Sequence, residues 1–370
     1  MDRSFKVCSK CIMDTTDPDI EFDQDGICNH CKRYDEIRRT RIIPDDKKSV
    51  ELAKIVSKIK TAGARQKYDC IIGVSGGVDS TYVAYLVKEL GLRPLAVHFD
   101  NGWNSELAVS NIEKTLKNLD IDLYTYVVDW EEFRDIQLSF LKASTPDAEI
   151  PTDHGILAIL HKVASDNNVK YILLGHNYST EAILPLKWGY GYFDARYIND
   201  VRKRFGSVRQ KTYPMMSLVK FIYYTQVKKI KINPILNYVE YIKSTAVDLI
   251  EKKLGWVNYG GKHYESIYTR FFQSYILPRK FNIDKRKAHL STLINSGQLT
   301  REQALVELKE PIFDSKRMQE DKEYVIKKLG LTEGIFEALM EQPIKTFMDY
   351  KNIYGLFERL KKYRKRVYTD

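Results

Sequence analysis

The sequence predicts an α/β protein: a parallel sheet with helices on both faces, preceded by an N-terminal four-cysteine knuckle and followed by a helical C-terminal region. Two observations predict this class. Short runs rich in β-branched residues alternate with amphipathic segments between residues 68 and 174, as in repeated βαβ units. Four of the five cysteines lie within the first 31 residues, in two C-x2-C pairs. The 370 residues suggest two domains with a small appendage.

The composition limits the class of protein further. Hydrophobic residues make up 44% of the chain, which is too apolar for a disordered protein. The formal net charge of +10 favours an anionic partner, such as a nucleotide, a sugar phosphate, nucleic acid or an acidic membrane face. No apolar run approaches the ~18 residues of a membrane span, and the first residues lack the apolar stretch of a signal peptide. We therefore expect a soluble cytoplasmic protein.

The cysteine pairs predict a metal site. Cys8 and Cys11 form one pair, Cys28 and Cys31 form the other, and sixteen residues separate them. Four thiolates at this spacing provide the tetrahedral sulfur set of structural Zn²⁺. Two disulfides are the alternative, disfavoured in a reducing compartment, and an iron–sulfur cluster is a weaker one. We expect His30 to point away from the metal.

The elements follow in a regular order. Residues 35–60 have helical spacing and predict a helix or linker. The predicted elements that follow are a strand at 68–74, a helix at 80–90, a strand at 94–99, a helix at 105–119, a strand at 122–128, helices at 131–143 and 153–166, and a strand at 170–174. Ligands of parallel sheets bind at the carboxyl ends of the strands, so the chemistry should follow Val74, Phe99 and Leu174.

The first of these positions carries a glycine-rich loop, Ser75-Gly-Gly-Val-Asp-Ser80, that leads directly into a helix. Two glycines allow a tight bend that brings N–H groups to an anion, and the helix N-terminus adds partial positive charge. Asp79 is placed to hold Mg²⁺. The loop lacks the Gly-Lys-Ser/Thr of a Walker A loop and the G-x-G-x-x-G of a dinucleotide fold. The alternative is a tight turn that binds no ligand.

The six-residue loop resembles the pyrophosphate loop of the ATP pyrophosphatase (PP-loop) superfamily, whose fold is adenine nucleotide alpha hydrolase-like. The stretches His98-Phe-Asp-Asn-Gly102 and Gly175-His-Asn177 are similar to two further nucleotide-site segments of that superfamily. The resemblance implies that ATP and Mg²⁺ are bound, with Asp79 on the metal. The nucleotide-binding residues that it implies are Ser75, Gly76, Gly77, Val78, Asp79, Ser80, His98, Phe99, Asp100, Asn101, Gly175, His176 and Asn177.

Across residues 5 to 310, the motifs together resemble the N-acetyl sugar amidotransferases of bacterial surface-polysaccharide biosynthesis (the WbpG and PseA group). The further motifs that carry this resemblance are Asp100–Glu106, Gly175–Glu181, Gly260–Glu265, Thr269–Gln273, Ile283–Arg286 and Ser296–Glu302. The resemblance implies an enzyme that forms AMP and pyrophosphate and converts an N-acetyl group of a nucleotide-activated sugar to an acetamidino group. The implied substrate is a UDP-diacetamido sugar acid or a related sugar, in lipopolysaccharide O-antigen synthesis.

The family pattern adds candidate catalytic residues to Ser75 and Asp79. Lys262, Glu265 and Arg270 are expected to orient substrate, or else to form a salt-bridged entry to a helix. Rings and cations are also dense between residues 187 and 232, which predicts a lid over the sugar nucleotide, a nucleic-acid surface or a packed insertion.

The remaining cysteine bears on ammonia supply and on the competing functions. Cys70 lies within a predicted buried strand, and position 2 is Asp2, so we expect no glutamine-hydrolysing nucleophile. The implied partner is a separate class I glutaminase, with no nucleic acid expected. A tRNA-thiolating PP-loop enzyme is the alternative, although sulfur transfer needs further cysteines. A third hypothesis is a non-enzymatic zinc-ribbon adaptor for nucleic acid. It gives no function to the Ser75–Ser80 loop.

These patterns divide the chain into three parts. We predict a zinc-binding knuckle at 1–40 and a PP-loop ATP pyrophosphatase domain at 41–235, which contains the insertion at 187–232. A mainly helical substrate or partner region is predicted at 236–370.

Overall fold

Within the described residues, five strands form one parallel sheet. The computed structural model describes residues 4–260 and 264–354. The strands are β1 (Cys70–Gly73), β2 (Pro94–Asp100), β3 (Asp122–Val127), β4 (Tyr171–Leu173) and β5 (Lys231–Asn233). Their spatial order is β3-β2-β1-β4-β5, and every neighbouring pair runs parallel. The predicted parallel sheet is confirmed.

Helices connect the strands and build the C-terminal region. The α-helices are α1 (Asn29–Thr40), α2 (Asp45–Gly63), α3 (Val78–Glu89), α4 (Glu106–Leu119), α5 (Trp130–Ala143), α6 (Ile150–Asp166), α7 (Tyr178–Glu181), α8 (Ala195–Phe205), α9 (Leu218–Ile222), α10 (Lys243–Leu254), α11 (Ile267–Phe271), α12 (Leu277–Phe281), α13 (Lys285–Ser296), α14 (Arg301–Lys309), α15 (Ser315–Leu329) and α16 (Glu333–Glu341). Short 3-10 turns lie at Leu186–Trp188, Ile235–Tyr238 and Phe347–Asp349, and π-helical turns lie at Tyr223–Val227 and Phe272–Ile276.

β1 occupies the centre of the sheet because its residues are apolar and buried on both faces, as expected of a strand covered by two helical layers. Its Ile71 pairs with Leu95 of β2 and with Ile172 of β4. The strands predicted at 68–74, 94–99, 122–128 and 170–174 correspond to β1 to β4. β5 was not predicted, because a three-residue strand after a lysine-rich stretch gives no periodic signal.

The two faces of the sheet belong to two separate apolar clusters, since side chains alternate along a strand. Ile71 and Val97 face a cluster that contains Leu160 of α6. Ile72 and Ala96 face the other cluster, with side chains of α3 and α4. Helices therefore cover both faces, as the sequence predicts.

The first part of the aromatic and basic insertion, up to α8, is packed into the protein. Trp188 and Tyr197 are buried, and the ring of Tyr190 stacks on Phe347 with 4.1 Å between centroids. These contacts match the packed insertion that was one of the three interpretations. They contribute area burial and ring stacking to the core around α8.

The cysteine knuckle packs against the C-terminal helices α13 and α14. The Arg301 guanidinium donates hydrogen bonds to the carbonyl oxygens of Cys11 and Cys8, at 3.1 and 3.2 Å. The backbone N–H of Ile12 donates to Oγ of Ser291 at 3.2 Å. The predicted domain limits at 40/41 and 235/236 stay predictions. No helix among the described residues is both long enough and apolar enough to cross a membrane.

Candidate active site

The Ser75–Ser80 loop joins β1 to α3 and is held by its own serine hydroxyls. Oγ of Ser80 accepts a hydrogen bond from the N–H of Ser75 at 3.3 Å and donates to the carbonyl of Gly77 at 3.1 Å. The N–H of Gly77, the residue just before α3, donates to Oγ of Ser75 at 3.3 Å. The loop thus places two hydroxyls beside a helix N-terminus, an arrangement suited to phosphate oxygens.

Gly76 needs to be glycine for two reasons. Its φ is +83°, and a Cβ at this position would lie 2.8 Å from the carbonyl oxygen of Ala108. The Gly76 carbonyl accepts two hydrogen bonds, from Nε1 of Trp256 and from the hydroxyl of Tyr259, both at 2.7 Å. A trans peptide points its C=O and the next N–H in opposite directions, so these bonds also fix the direction of the Gly77 N–H.

Asp79 lies in the first turn of α3 and touches two other parts of the site. Its Oδ1 accepts a hydrogen bond from the hydroxyl of Tyr241. A Cβ on Gly175, which follows β4, would lie 3.0 Å from Cβ of Asp79, so a larger residue here would require Asp79 to shift. Burial, and then the nearby Asp79 carboxylate, raise the pKa of Tyr241 well above its ordinary value. Tyr241 therefore remains a proton donor to Asp79.

Polar side chains at the end of β2 form a network beside the loop. Nδ1 of His98 donates to the carbonyl of Val74 at 2.9 Å, which leaves Nε2 to accept from Nδ2 of Asn104 at 3.0 Å. The Asp100 carboxylate accepts from the N–H of Gly102 at 2.9 Å and from Asn104 at 3.2 Å. The contacts with Val74 and Asn104 fix the orientation of the His98 ring next to the loop.

Phe99 and Asn101 point elsewhere, since alternate residues of a strand face opposite sides. The Phe99 ring packs so tightly against α6 that a Cβ on Gly155 would lie 2.4 Å from it, and it stacks on Tyr126. Asn101 is buried and accepts from the N–H of Trp103 at 3.1 Å. The structure therefore places the Phe99 side chain in the core and away from the loop.

The third predicted segment follows β4. Gly175 abuts Asp79, as described, and the buried Asn177 caps α7 with its side chain. His176 is exposed, and its Nδ1 lies 3.0 Å from Oε2 of Glu181. Of the three residues, Gly175 meets the loop directly, Asn177 shapes the turn, and His176 presents its ring to solvent.

Glu265 meets the loop from the C-terminal region. A Cβ on Gly77 would lie 3.2 Å from Oε1 of Glu265, so the carboxylate lies against the loop. The backbone carbonyl of Glu265 accepts from the N–H of Ser105 at 2.9 Å, and Asn104 and Ser266 form an antiparallel bridge. The segment after β2 and the start of α11 are thus joined at the edge where the loop lies.

The structure gives Arg270 a buried partner. Its Nε and Nη2 each lie 2.6 Å from a carboxylate oxygen of Asp321 on α15, and its guanidinium lies over the Tyr264 ring. This geometry matches the second interpretation, a salt-bridged helix entry, because two donors of the guanidinium are already used. Lys262 lies outside the described residues.

Sequence reasoning missed three residues of the site: Tyr241, Trp256 and Tyr259. Each is buried and aromatic, a type that usually belongs to a core. The available signal is that Tyr and Trp carry one polar tip each, which needs a partner when buried. Here the partners are Asp79 for Tyr241 and the Gly76 carbonyl for the other two.

The four N-terminal cysteines form a metal-binding site. All four are buried and free of disulfides, and their sulfur atoms lie within 4.8 Å of one another. Cys8 and Cys31 sulfurs are 3.9 Å apart, and those of Cys11 and Cys28 are 3.7 Å apart. A tetrahedron with metal–sulfur bonds of ~2.3 Å has edges of roughly 3.8 Å, so the set fits a four-coordinate ion.

Donors around the sulfurs support negative charge on them. The N–H of Cys28 lies 3.2 Å from the Cys8 sulfur, and Nδ2 of Asn295 lies 3.4 Å from the Cys31 sulfur. His30 turns to Asp17, with Nε2 2.6 Å from the carboxylate, away from the sulfurs as expected. Such donors stabilise metal-bound thiolates.

The loop, the parallel sheet and the approach of Gly175 to Asp79 agree with the PP-loop fold class expected from the sequence. Residues 265–364 match the family described as LPS biosynthesis protein WbpG-like, C-terminal domain. This match begins at Glu265, the residue that lies against the loop. Together these findings support the resemblance of the chain to WbpG-type proteins of the PP-loop superfamily.

Two curated relatives match parts of the chain. An uncharacterized protein of Methanocaldococcus jannaschii is 28% identical over 188 residues, which cover 49% of this chain and 64% of that protein. The tRNA(Ile)-lysidine synthase of Chlamydia felis is 25% identical over 152 residues, which cover 40% of this chain and 44% of that enzyme. The chain thus spans less than two thirds of the length of each relative.

Solved structures show a distant likeness. The NH3-dependent NAD synthetase from Campylobacter jejuni has a TM-score of 0.33 and 14% identity, with 78% of this chain and 98% of that chain covered. NMN synthetase from Francisella tularensis has a TM-score of 0.29 and 13% identity, with 60% and 90% covered. Likeness at this level assigns no function.

Proposed function

We propose that this chain is an ATP-dependent sugar amidotransferase. It converts an N-acetyl group of a nucleotide-activated sugar, such as a UDP-diacetamido sugar acid, to an acetamidino group during lipopolysaccharide O-antigen synthesis. The reaction forms AMP and pyrophosphate and takes place in the cytoplasm. The match of residues 265–364 to the WbpG-like family supports the substrate class.

One observation carries the proposal: Glu265, the first residue of the WbpG-like region, lies against Gly77 of the phosphate-type loop. A carboxylate at this position lies where an acceptor bound by the C-terminal region would meet the nucleotide. It is suited to hold or accept a proton of the acceptor amide or of ammonia, whereas it would repel the phosphates unless a cation lay between them.

The chemistry balances in two steps. The acetamido oxygen attacks the α-phosphorus of ATP, the bond from that phosphorus to the β-phosphate oxygen breaks, and pyrophosphate leaves; loss of the amide N–H proton gives the O-adenylyl imidate. Ammonia then adds to the carbon of the O-adenylyl imidate, AMP departs with the original oxygen, and loss of a proton gives the amidine. The first step needs stabilisation of charge on the departing pyrophosphate, which the N–H groups and hydroxyls of Ser75–Ser80 supply.

Asp79 is the proposed Mg²⁺ ligand. Magnesium prefers carboxylate and phosphate oxygens, and Asp79 offers a carboxylate at the first turn of α3. The bound ion would neutralise charge on the β- and γ-phosphates. Tyr241 orients the carboxylate by its hydrogen bond to Oδ1.

We also propose that the cysteine site holds Zn²⁺ and that this zinc has a structural role. Four thiolates leave no open coordination position for a substrate. The ion would lie at the seam with the C-terminal helices, where Arg301 donates hydrogen bonds to the carbonyls of Cys8 and Cys11.

Ammonia would come from a separate class I glutaminase subunit. Hydrolysis of glutamine needs a reactive cysteine, and the fifth cysteine of the chain, Cys70, is buried in β1. Burial, with a further contribution from Asp69, raises the pKa of Cys70 far above that of a reactive thiol. The same burial counts against the alternative, a tRNA-thiolating enzyme.

The deciding experiment measures pyrophosphate release with ATP, Mg²⁺ and ammonium at alkaline pH, with candidate UDP-sugars in one arm and bulk tRNA in the other. Sugar-dependent release and an amidine product detected by mass spectrometry are expected. Release that depends on tRNA alone would show the alternative function. Glutamine in place of ammonium should give no product, and robust turnover with it would refute the separate glutaminase.

The Glu265→Gln variant tests the role of the carboxylate that lies against Gly77. It should lower turnover by about a hundredfold if the carboxylate serves as a proton acceptor, with ATP still bound. Glu302→Gln, at an exposed position on α14, is the matched control. Equal turnover in the two variants would remove the role of Glu265.

A further inference from the structure

A helical segment on the outside of α6 has apolar side chains on two faces. It runs through α9 and the following π-helical turn, from Leu218 to Val227. Its inner face packs on α6, where the rings of Phe221 and Tyr224 lie 6.1 and 5.8 Å from the ring of His161. This contact fixes the segment to the body of the protein.

The outer face is also apolar, but it is exposed. The exposed fractions are 57% for Leu218, 77% for Val219, 49% for Ile222, 43% for Tyr223 and 66% for Val227. A helix with apolar side chains on two faces normally buries both of them. The exposure of this outer face is therefore unusual. Contiguous exposed apolar residues mark an interaction site.

The charge along this stretch of the chain has one sign. From Val201 to Val239 the sequence contains nine Lys and Arg residues and no Asp or Glu. Lys220 lies within the segment, and Lys228, Lys229 and Lys231 follow the end of the segment. Nζ of Lys228 lies 5.8 Å from the centre of the Tyr223 ring. Apolar side chains and cations therefore share one surface.

We propose that this surface, residues 218–231, docks on an anionic phospholipid bilayer. A bilayer accepts apolar side chains between its headgroups and places negative phosphates beside the flanking lysines. Nucleic acid would satisfy the cations and leave the apolar face uncovered. Because α6 covers a face of the sheet, docking here leaves the Ser75–Ser80 loop, at the carboxyl edge, open to substrate. The proposal stands independently of the sugar chemistry.

The test is sedimentation of the full chain with two kinds of vesicle: phosphatidylcholine alone, and equal parts of phosphatidylcholine and phosphatidylglycerol. We expect binding to the mixed vesicles that weakens with salt. The double variant Val219→Glu with Ile222→Glu should bind at least about tenfold less. The control is Val50→Glu with Val306→Glu, two apolar residues of similar exposure on α2 and α14.

Each outcome decides the proposal. The basic run at 359–366 lies outside the described residues and is unchanged in every variant, so loss in the double variant reports the apolar face. The proposal is overturned if the wild-type protein does not bind the mixed vesicles. It is also overturned if the double variant binds them as well as its control does. A dimer in sedimentation equilibrium that the double variant alone abolishes would show that a second copy covers the face instead.

Discussion

The hydroxyl of Tyr241 donates a hydrogen bond to Oδ1 of Asp79, and this bond joins the segment after β5 to the first turn of α3. Tyr241 is buried, and its ring lies beside that of Tyr82, 5.4 Å between centroids. The carboxylate proposed to hold Mg²⁺ is therefore oriented from a part of the chain that carries no recognisable nucleotide motif.

Tyr241→Phe should lower turnover roughly 10- to 100-fold, because a hydrogen bond to a charged group contributes ~1.5–3 kcal/mol. Steady-state rates over a series of Mg²⁺ concentrations check this, and the variant should need more Mg²⁺ for half its maximal rate. Tyr82→Phe removes a hydroxyl from the neighbouring ring and should match the wild type. An unchanged Mg²⁺ requirement in Tyr241→Phe would remove the positioning role.

Trp256→Phe combined with Tyr259→Phe should weaken pyrophosphate binding. Both bonds to the Gly76 carbonyl are lost, and a buried carbonyl without a donor costs ~1–3 kcal/mol. Each single variant retains one bond and should lose less. Calorimetric titration with pyrophosphate in the presence of Mg²⁺ measures the affinities. Additive, equal losses in both single variants would show that the two bonds act independently.

Gly76→Ala should abolish pyrophosphate binding while the fold persists. The substitution combines the cost of a positive φ, ~1–2 kcal/mol, with a contact of 2.8 Å to the Ala108 carbonyl. Gly297→Ala is the matched control, since its φ is +79° and nothing lies within 4 Å of the added Cβ. In thermal unfolding, both variants should lose a similar amount of stability through the positive φ. Only Gly76→Ala should lose pyrophosphate binding.

The purified protein should contain about one zinc per chain, and Cys28→Ser should lose it and unfold or aggregate. Elemental analysis together with thermal unfolding measures both effects. Cys70→Ser, a substitution in β1, should keep the metal. Iron in place of zinc, or a folded Cys28→Ser protein without metal, would be contrary to the assignment.

The Asp147 carboxyl makes stability depend on pH. Burial raises its pKa from 3.8 to about 6, against the opposing effect of the Tyr190 N–H at 2.9 Å. The folded state binds this proton more tightly than the unfolded state, so its stabilising contribution is complete below pH ~4 and is lost as the pH rises through ~6. Asp147→Asn should raise the free energy of unfolding at pH 8, by up to ~3 kcal/mol. Asp147→Asn should change the free energy of unfolding little at pH 4. The exposed Asp46→Asn is the control and should show no difference between pH 4 and pH 8.

Periodicity predicted β1 to β4 and their helices because apolar spacing is a local property of the chain. Glycine spacing likewise predicted the Ser75–Ser80 loop. Contacts across the chain are not local: Trp256 is 180 residues from its partner Gly76. For the same reason the sequence leaves two roles open for Arg270, contact with substrate or a salt bridge, because its partner Asp321 lies 51 residues further on. Sequence patterns identify an ionisable group, and the folded chain decides its partner.

The seam between the cysteine knuckle and helices α13 and α14 has a consequence for synthesis on the ribosome. Ile12 is buried against Leu290 and Ala304, and its N–H donates to Oγ of Ser291, 279 residues later. At ~5–20 residues per second, roughly 15–60 seconds pass between the emergence of the two sides. During that interval the knuckle exposes an apolar side chain and unpaired N–H and C=O groups. Early capture of the metal would hold its cysteines together until their helices arrive, and a nascent chain starved of zinc is the form most open to chaperones and proteases.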